Sequence, residues 1–394
     1  MSARVVAWAR IGSGSTNRHG LDRMRGELMS WFTELGGEVS EVALPPARVV
    51  EADGTKHEVE SAPAIRVRCR PDAPVRVALT GHYDTVFAAE SPFRDVRYLD
   101  AERIQGPGVA DMKGGLVVLG EALLALERSP WAKRLGWEVL ISPDEETGSP
   151  GSKGELARLG AWAHVGMTYE PALADGSFAG ARKGTAKLTL VARGRAAHAG
   201  RAHHLGRNAV AAAARFAVAV DALNGVRDGV TFNVACIEGG GPLNIVPELG
   251  ICRFEVRSPS DADWQWAAAE LDRLVGATGA TEGISAELDG GVSRPPKPLC
   301  AQNLEFLEFV RTSGAAIDID VRWRDTGGVC EGNNLWGAGC PNVDTLGVRG
   351  GGIHSEQEFI QVSSLVERSQ LSALVLMRMA NGAYDARRLR GVSR

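Results

Sequence analysis

Two histidines and a series of carboxylates in this chain are of types that could share one chemistry: His82 and Asp84 two residues apart, Asp111, Asp144-Glu145-Glu146, Glu170 and His354. Imidazole nitrogens and carboxylate oxygens suit zinc, with manganese or cobalt as substitutes. A carboxylate beside such a site but not bound to the metal could act as a general base. Each element alone has an ordinary reading. His82 and Asp84 could be a hydrogen-bonded turn, Asp111 a helix cap, and Asp144-Glu145-Glu146 a solvated acidic loop.

The elements around these residues argue for the shared chemistry. Val75–Leu79 runs into Thr80-Gly81-His82-Tyr83-Asp84-Thr85, Trp137–Ser142 into Pro143-Asp144-Glu145-Glu146, and His164–Tyr169 into Glu170-Pro171. Each run is compact, apolar and bounded by turn formers, as a buried strand is. The acidic and imidazole groups therefore fall just past the carboxyl ends of strands, where open α/β sheets build their sites. Met112–Leu126 is helical in composition apart from Gly114, Gly115 and Gly120, and Asp111 stands in N-cap position for it. Leu21, Met24, Leu28, Trp31 and Leu35 lie at helical spacing before Gly36-Gly37. Strands alternating with helices predict a mostly parallel α/β sheet.

From about Lys183 the texture changes. Lys187–Val191, Thr231–Ile237, Ile251–Arg257 and Ile284–Leu288 read as strands, with helices over Asn208–Leu223 and Ala262–Val275. The order strand, helix, strand, strand, helix, strand is the ferredoxin-like split βαβ arrangement. The prolines of Ser293-Arg294-Pro295-Pro296-Lys297-Pro298 favour an extended connector. The expected organisation is a catalytic α/β domain over residues 1–182 and 296–394, ending in a helix near Ser363–Asn381, with a small domain inserted over 183–295.

Composition narrows the class. With 394 residues, 44% hydrophobic and 23% charged, the chain has the make-up of a folded protein of more than one domain. The 44 Lys+Arg against 48 Asp+Glu leave a net charge of -4, which disfavours nucleic acid or an anionic membrane as partner. The amino terminus does not read as a signal peptide, and no apolar window reaches the roughly 18 residues of a membrane helix. The six cysteines (Cys69, Cys236, Cys252, Cys300, Cys330, Cys340) form no CxxC pair, so reduced thiols in a cytoplasmic protein are expected.

In these same segments the chain resembles the M20 metallopeptidases, a family that includes glutamate carboxypeptidase, acetylornithine deacetylase, succinyl-diaminopimelate desuccinylase and aminoacylase. The matching segments are 81–86 (GHYDTV), 106–115 (GPGVADMKGG), 144–149 (DEETGS), Glu170-Pro171, 197–200 (AHAG), 244–247 (NIVP) and His354-Ser355, in the family order. The glutamate carboxypeptidase branch is nearest. The resemblance implies two zinc ions bridged by Asp111, with His82 and Glu170 on one metal and Glu146 and His354 on the other. It implies that Asp84 orients His82, that the bond after Asp111 is cis, and that Glu145 is the general base. It further implies a homodimer through the inserted domain, in which His198 of the partner subunit steadies the oxyanion. Arg257 and Asn244 resemble residues that hold the substrate's carboxylate and backbone; an arginine fork binds a carboxylate through two hydrogen bonds. His203 and His204 receive no role.

One segment departs from the family pattern. Where relatives often carry Gly-Gly, a small residue and Asp, this chain has Gly327-Gly328-Val329-Cys330-Glu331-Gly332-Asn333, a loop expected to border the substrate pocket, with Cys330 packed in the interior. The expected function is hydrolysis of an amide whose nitrogen side is an amino acid with a free carboxylate, glutamate carboxypeptidase-like. The alternatives are an N-acyl-amino-acid deacylase or desuccinylase, a hydrolytic deaminase of an aromatic amino acid, and a catalytically silent metal-binding scaffold. An unligated Glu145 beside a ligand speaks against the scaffold.

Overall fold

In the computed structural model, which describes residues 1–390, the chain forms two compact units. Among the described residues the larger comprises 1–46, 60–182 and those from 298 on, and the smaller 47–59 and 183–297.

The larger unit is built on a six-stranded sheet with spatial order Glu38–Val42, Ala64–Cys69, Leu135–Ser142, Val75–His82, Val165–Thr168, Asn342–Val343. The last four strands run parallel, while Glu38–Val42 and Ala64–Cys69 add an antiparallel edge that the sequence pattern does not announce. Leu135–Ser142 is buried along its whole length, the signature of a strand covered on both faces. Successive residues alternate between two packing layers. Val77, Leu79, Val139 and Ile141 join the core formed with helices Arg18–Phe32, Gly115–Glu127 and Val362–Ala380. Ala78 and Leu140 point the other way, onto Leu156, Leu159 and Leu335 from helices Lys153–Trp162 and Glu331–Gly337.

The helix expected from Met112 begins instead at Gly115, and Asp111 is not its cap. Residues 109–114 form a separate wide turn in which Asp111 and Met112 leave helical φ/ψ, and the Asp111–Met112 bond is cis. The glycines that looked out of place in a helix allow close approach. A Cβ at Gly115 would lie 2.0 Å from the Tyr169 carbonyl oxygen, and one at Gly120 2.1 Å from the Trp31 ring.

The smaller unit carries a four-stranded antiparallel sheet in the order Thr231–Gly239, Leu249–Ser258, Gly184–Arg193, Ser285–Arg294. Helices Ala209–Asp221 and Asp261–Gly279 close one face, packing Phe216, Val220, Leu271 and Leu274 on Leu188, Leu190, Phe254 and Val256. Asn208 and Ser260 cap those helices through their side chains. Residues 47–59, which the sequence reading leaves with the larger domain, form a hairpin that packs with this unit. Lys56 pairs with Glu287 at 3.0 Å and Asp289 at 3.2 Å, and Arg193 donates to the Gly54 carbonyl at 2.8 Å. Among the described residues no helix is long and apolar enough to cross a membrane.

Candidate metal centre

Parallel register sets the site. His82 lies opposite Ser142 on one neighbouring strand, and Thr80 lies opposite Thr168 on the other. The three strands therefore end side by side and deliver His82 to Asp84, Asp144 to Glu146, and Glu170 to one edge of the sheet. Asp144 is spent on shape. Its carboxylate accepts from the amides of Gly151 at 2.7 Å and Ser152 at 3.1 Å and from the Ser152 hydroxyl at 2.6 Å, which folds the loop back and leaves Glu145 and Glu146 to the site.

Asp111 stands at the centre with its two oxygens facing different imidazoles. Oδ1 is 3.1 Å from Nε2 of His82, and Oδ2 is 3.1 Å from Nε2 of His354. Beyond His82, Glu170 Oε1 lies 3.8 Å from the same Nε2; beyond His354, Glu146 Oε2 lies 3.4 Å from its Nε2. Glu145 is placed close by, with ligand atoms of His82, Glu145 and Glu170 all within 4.8 Å of one another. His354 holds a left-handed φ of 63°, which turns its ring back toward Asp111 from the glycine-rich loop.

Asp84 organises the rest. The Nδ1 of His82 is 3.0 Å from the Asp84 carbonyl oxygen and 3.3 Å from its carboxylate, so Nδ1 carries a proton and Nε2 is the nitrogen that a metal would take. The same carboxylate accepts the amides of Glu145 and Glu146, both at 3.2 Å, and the Ser15 hydroxyl at 2.7 Å. Two contributors went unseen in the sequence. Ser15 carries no signal there. Glu358 is buried and accepts amides from the 108–111 turn, and its only sequence clue is that it lies four residues past His354.

The electrostatics call for cations. Burial pushes the carboxyls of Glu146 and Glu170 well above the usual range, with His354 and His82 offsetting only part of it. Asp111 is also buried, but hydrogen bonds from both imidazoles hold its carboxyl far below the usual range. His354 is driven up to about 10 by hydrogen bonds to Asp111 and Glu146. Burial alone would lower His82, yet Asp111, Asp84 and Glu170 raise it well above its ordinary value. Glu146 Oε1 and Glu170 Oε1 are buried with no hydrogen-bond partner among the described residues. Orphaned carboxylate oxygens beside two Nε2 atoms fit divalent metal ions, which would take the place of the protons those nitrogens share with Asp111.

The other named residues belong to the smaller unit. His198 lies on a two-stranded ribbon with Ile245–Val246, and the Asn244 carbonyl accepts the Ala199 amide at 2.8 Å. The exposed His198 ring accepts the amides of Gly200 at 3.1 Å and Arg201 at 3.2 Å on Nδ1, which leaves Nε2 as the N–H donor. Arg257 is half-buried and ion-paired with Glu255 on its own strand. His203 and His204 form an exposed turn. In the departing loop of the larger unit, Cys330 and Glu331 are buried. Cys330 starts a helix, its Sγ taking the Gly332 amide at 3.3 Å, and Glu331 accepts the Ser142 hydroxyl, so both side chains are committed to the interior.

Residues 78–378 match the sequence description of peptidase family M20/M25/M40. The chain is 26% identical over 322 residues to carboxypeptidase G2 of Pseudomonas sp. (strain RS-16), which covers 77% of this chain and 74% of that protein. In fold it is similar to a tripeptidase from Staphylococcus aureus subsp. aureus Mu50, with a TM-score of 0.75, 22% identity and coverage of 96% and 98%. It is also similar to the YXEP protein of Bacillus subtilis, described as a dinuclear metal-binding peptidase from the M20 family, with a TM-score of 0.63, 14% identity and coverage of 95% and 97%. A match running from residue 78 to 378 is far longer than any shared motif, and the chain belongs to peptidase family M20/M25/M40 as a hydrolase of the metallopeptidase kind.

Proposed function

We propose that this protein is a two-zinc hydrolase, glutamate carboxypeptidase-like, that cleaves an amide whose nitrogen belongs to an amino acid with a free carboxylate. The observation that carries the metal reading is Asp111, whose two oxygens each face a separate imidazole while Glu170 and Glu146 flank the pair. His82 and Glu170 would hold one ion and His354 and Glu146 the other, with Asp111 between. The substrate class is supported by the likeness to carboxypeptidase G2.

Such ions, when bound, acidify a water and polarise a carbonyl. Glu145 would serve as the base for an attacking water and return the proton to the leaving nitrogen, since its amide is pinned to Asp84 while its carboxylate faces the site. Asp84 keeps His82 in the tautomer that offers Nε2. The Nε2–H of His198 donates to the oxyanion, from the partner subunit of a homodimer joined through a ferredoxin-like dimerisation domain. Arg257 and Asn244 receive the substrate's carboxylate and backbone.

Metal-replete protein should release amine from N-acyl amino acids, fastest from acyl-glutamates, and no ammonia from aromatic amino acids. Preference for a short acyl group such as succinyl would instead indicate a deacylase or desuccinylase, ammonia release a deaminase, and silence across the panel a scaffold.

A further inference from the structure

Asp111 takes little direction from its own segment. Its backbone lies outside helical geometry, at φ -114° and ψ 91°, and the imidazoles it faces come from residues 29 and 243 positions away. Something must hold the 108–111 turn against the loop that brings His354. Glu358 does this from several sides. Its Oε1 accepts the amides of Ala110 at 2.8 Å and Asp111 at 3.0 Å, and its Oε2 accepts that of Gly108 at 3.0 Å. Its carbonyl oxygen accepts the Gly106 amide at 3.1 Å, and the Glu356 carbonyl accepts Nε2 of Gln105 at 2.9 Å. The strand that follows, Phe359–Gln361, pairs with Arg103–Gln105.

One fully buried side chain thus fastens the turn of the central carboxylate to a loop whose other duty is to present His354. We infer that Glu358 is a positioning residue that sets the placement of Asp111 relative to His354, and that metal affinity depends on its reach to the three amides. Hydrogen bonds from three amides of one turn onto a single buried carboxyl are directional, and displacing a group that orients a ligand typically weakens metal binding 10- to 100-fold. The rival account is that Glu358 supplies only a negative charge near the buried ammonium of Lys113, with which it interacts electrostatically.

The test is titration of metal-free protein with Zn2+ against a chromophoric chelator, well below the unfolding temperature of each variant. Glu358→Gln keeps an oxygen for Ala110 and Asp111 but turns an NH2 toward the Gly108 amide. Glu358→Asp keeps the charge but is a methylene short. Both should bind zinc about 10- to 100-fold more weakly than wild type. If Glu358→Gln fails to fold, Glu358→Asp decides alone. Wild-type affinity in either folded variant overturns the inference. Full affinity in Asp with loss in Gln overturns it in favour of charge, and failure of both to fold overturns it in favour of a purely structural role. Because the inference rests on the metal-centre reading, Asp111→Asn is titrated alongside. Undiminished zinc binding there sinks the centre itself, whereas loss there with retention in the Glu358 variants sinks only the positioning role.

Discussion

Asp111 stands in a wide turn and His198 on a short ribbon, yet Asp111 is 7% exposed and held through groups from two distant segments, while His198 is exposed and takes its partners from Gly200 and Arg201 beside it. The contrast extends to their units. The centre of the larger unit is assembled by sheet register and long-range hydrogen bonds, so its geometry exists before any ligand arrives. The ribbon of the smaller unit fixes a tautomer locally and offers a donor to solvent. The first arrangement is preorganised by the fold, and the second leaves its donor in solvent.

Substitutions in the two regions should therefore fail differently. The largest effect belongs to Glu145→Gln, which should retain both metals and lower kcat by at least about a hundredfold, because it removes the base and leaves the ligands. Steady-state kinetics with metal analysis on the same sample checks this, and near-normal kcat at full occupancy would move the base elsewhere.

Subunit mixing addresses His198. In the proposed homodimer, Glu145→Gln and His198→Ala should each be nearly inactive alone, but in a mixed dimer one site would carry both changes and the other neither. Random exchange makes half the dimers mixed, so activity should return to about a quarter of wild type. Demonstrated exchange with no recovery would place His198 and Glu145 in the same chain's site.

Arg257→Ala should cost about 1.5–3 kcal/mol in kcat/KM for substrates with a free carboxylate, the worth of a hydrogen bond to a charged group, and little for their amides. Equal losses for acid and amide would reduce Arg257 to the partner of Glu255.

The smallest effect concerns the stability of the metal-free protein. His354, raised to about 10, stabilises the fold fully below its ordinary pKa and loses that contribution as pH rises toward the folded value. Glu146 and Glu170, raised by burial, retain protons that the unfolded chain has released, so they too favour the fold less as pH climbs past the carboxylate range. The signs agree. The metal-free melting temperature should drop by a few degrees between about pH 5 and 9, with a flatter profile for metal-loaded protein. A rising or flat metal-free profile would contradict the apo electrostatics.

The same contrast explains what could be read from the sequence. His82, Glu146 and Glu170 were legible because a buried strand leaves an apolar run, and the polar residue at its end stands out. The strands of the smaller unit were legible for a similar reason, although each extends beyond its apolar stretch, as Ser285–Arg294 does beyond Ile284–Leu288. The hairpin of residues 47–59 was not, because its strands are short and mostly outside the core. Asp111 resembled a helix cap because Gly114-Gly115 leaves no local sign that the helix starts later. Ser15 and Glu358 escaped because their partners, Asp84 and the 108–111 turn, lie 69 and about 250 residues away. Contacts over such separations are set by the tertiary fold and leave no periodicity.

The most direct measurement of the central claim is zinc stoichiometry, by equilibrium dialysis of metal-free protein followed by metal analysis. The account predicts two zinc ions per chain for wild type and for Glu145→Gln, and loss of both in Asp111→Asn, because one carboxylate serves both positions. A single ion in wild type, or full occupancy in Asp111→Asn, would contradict it.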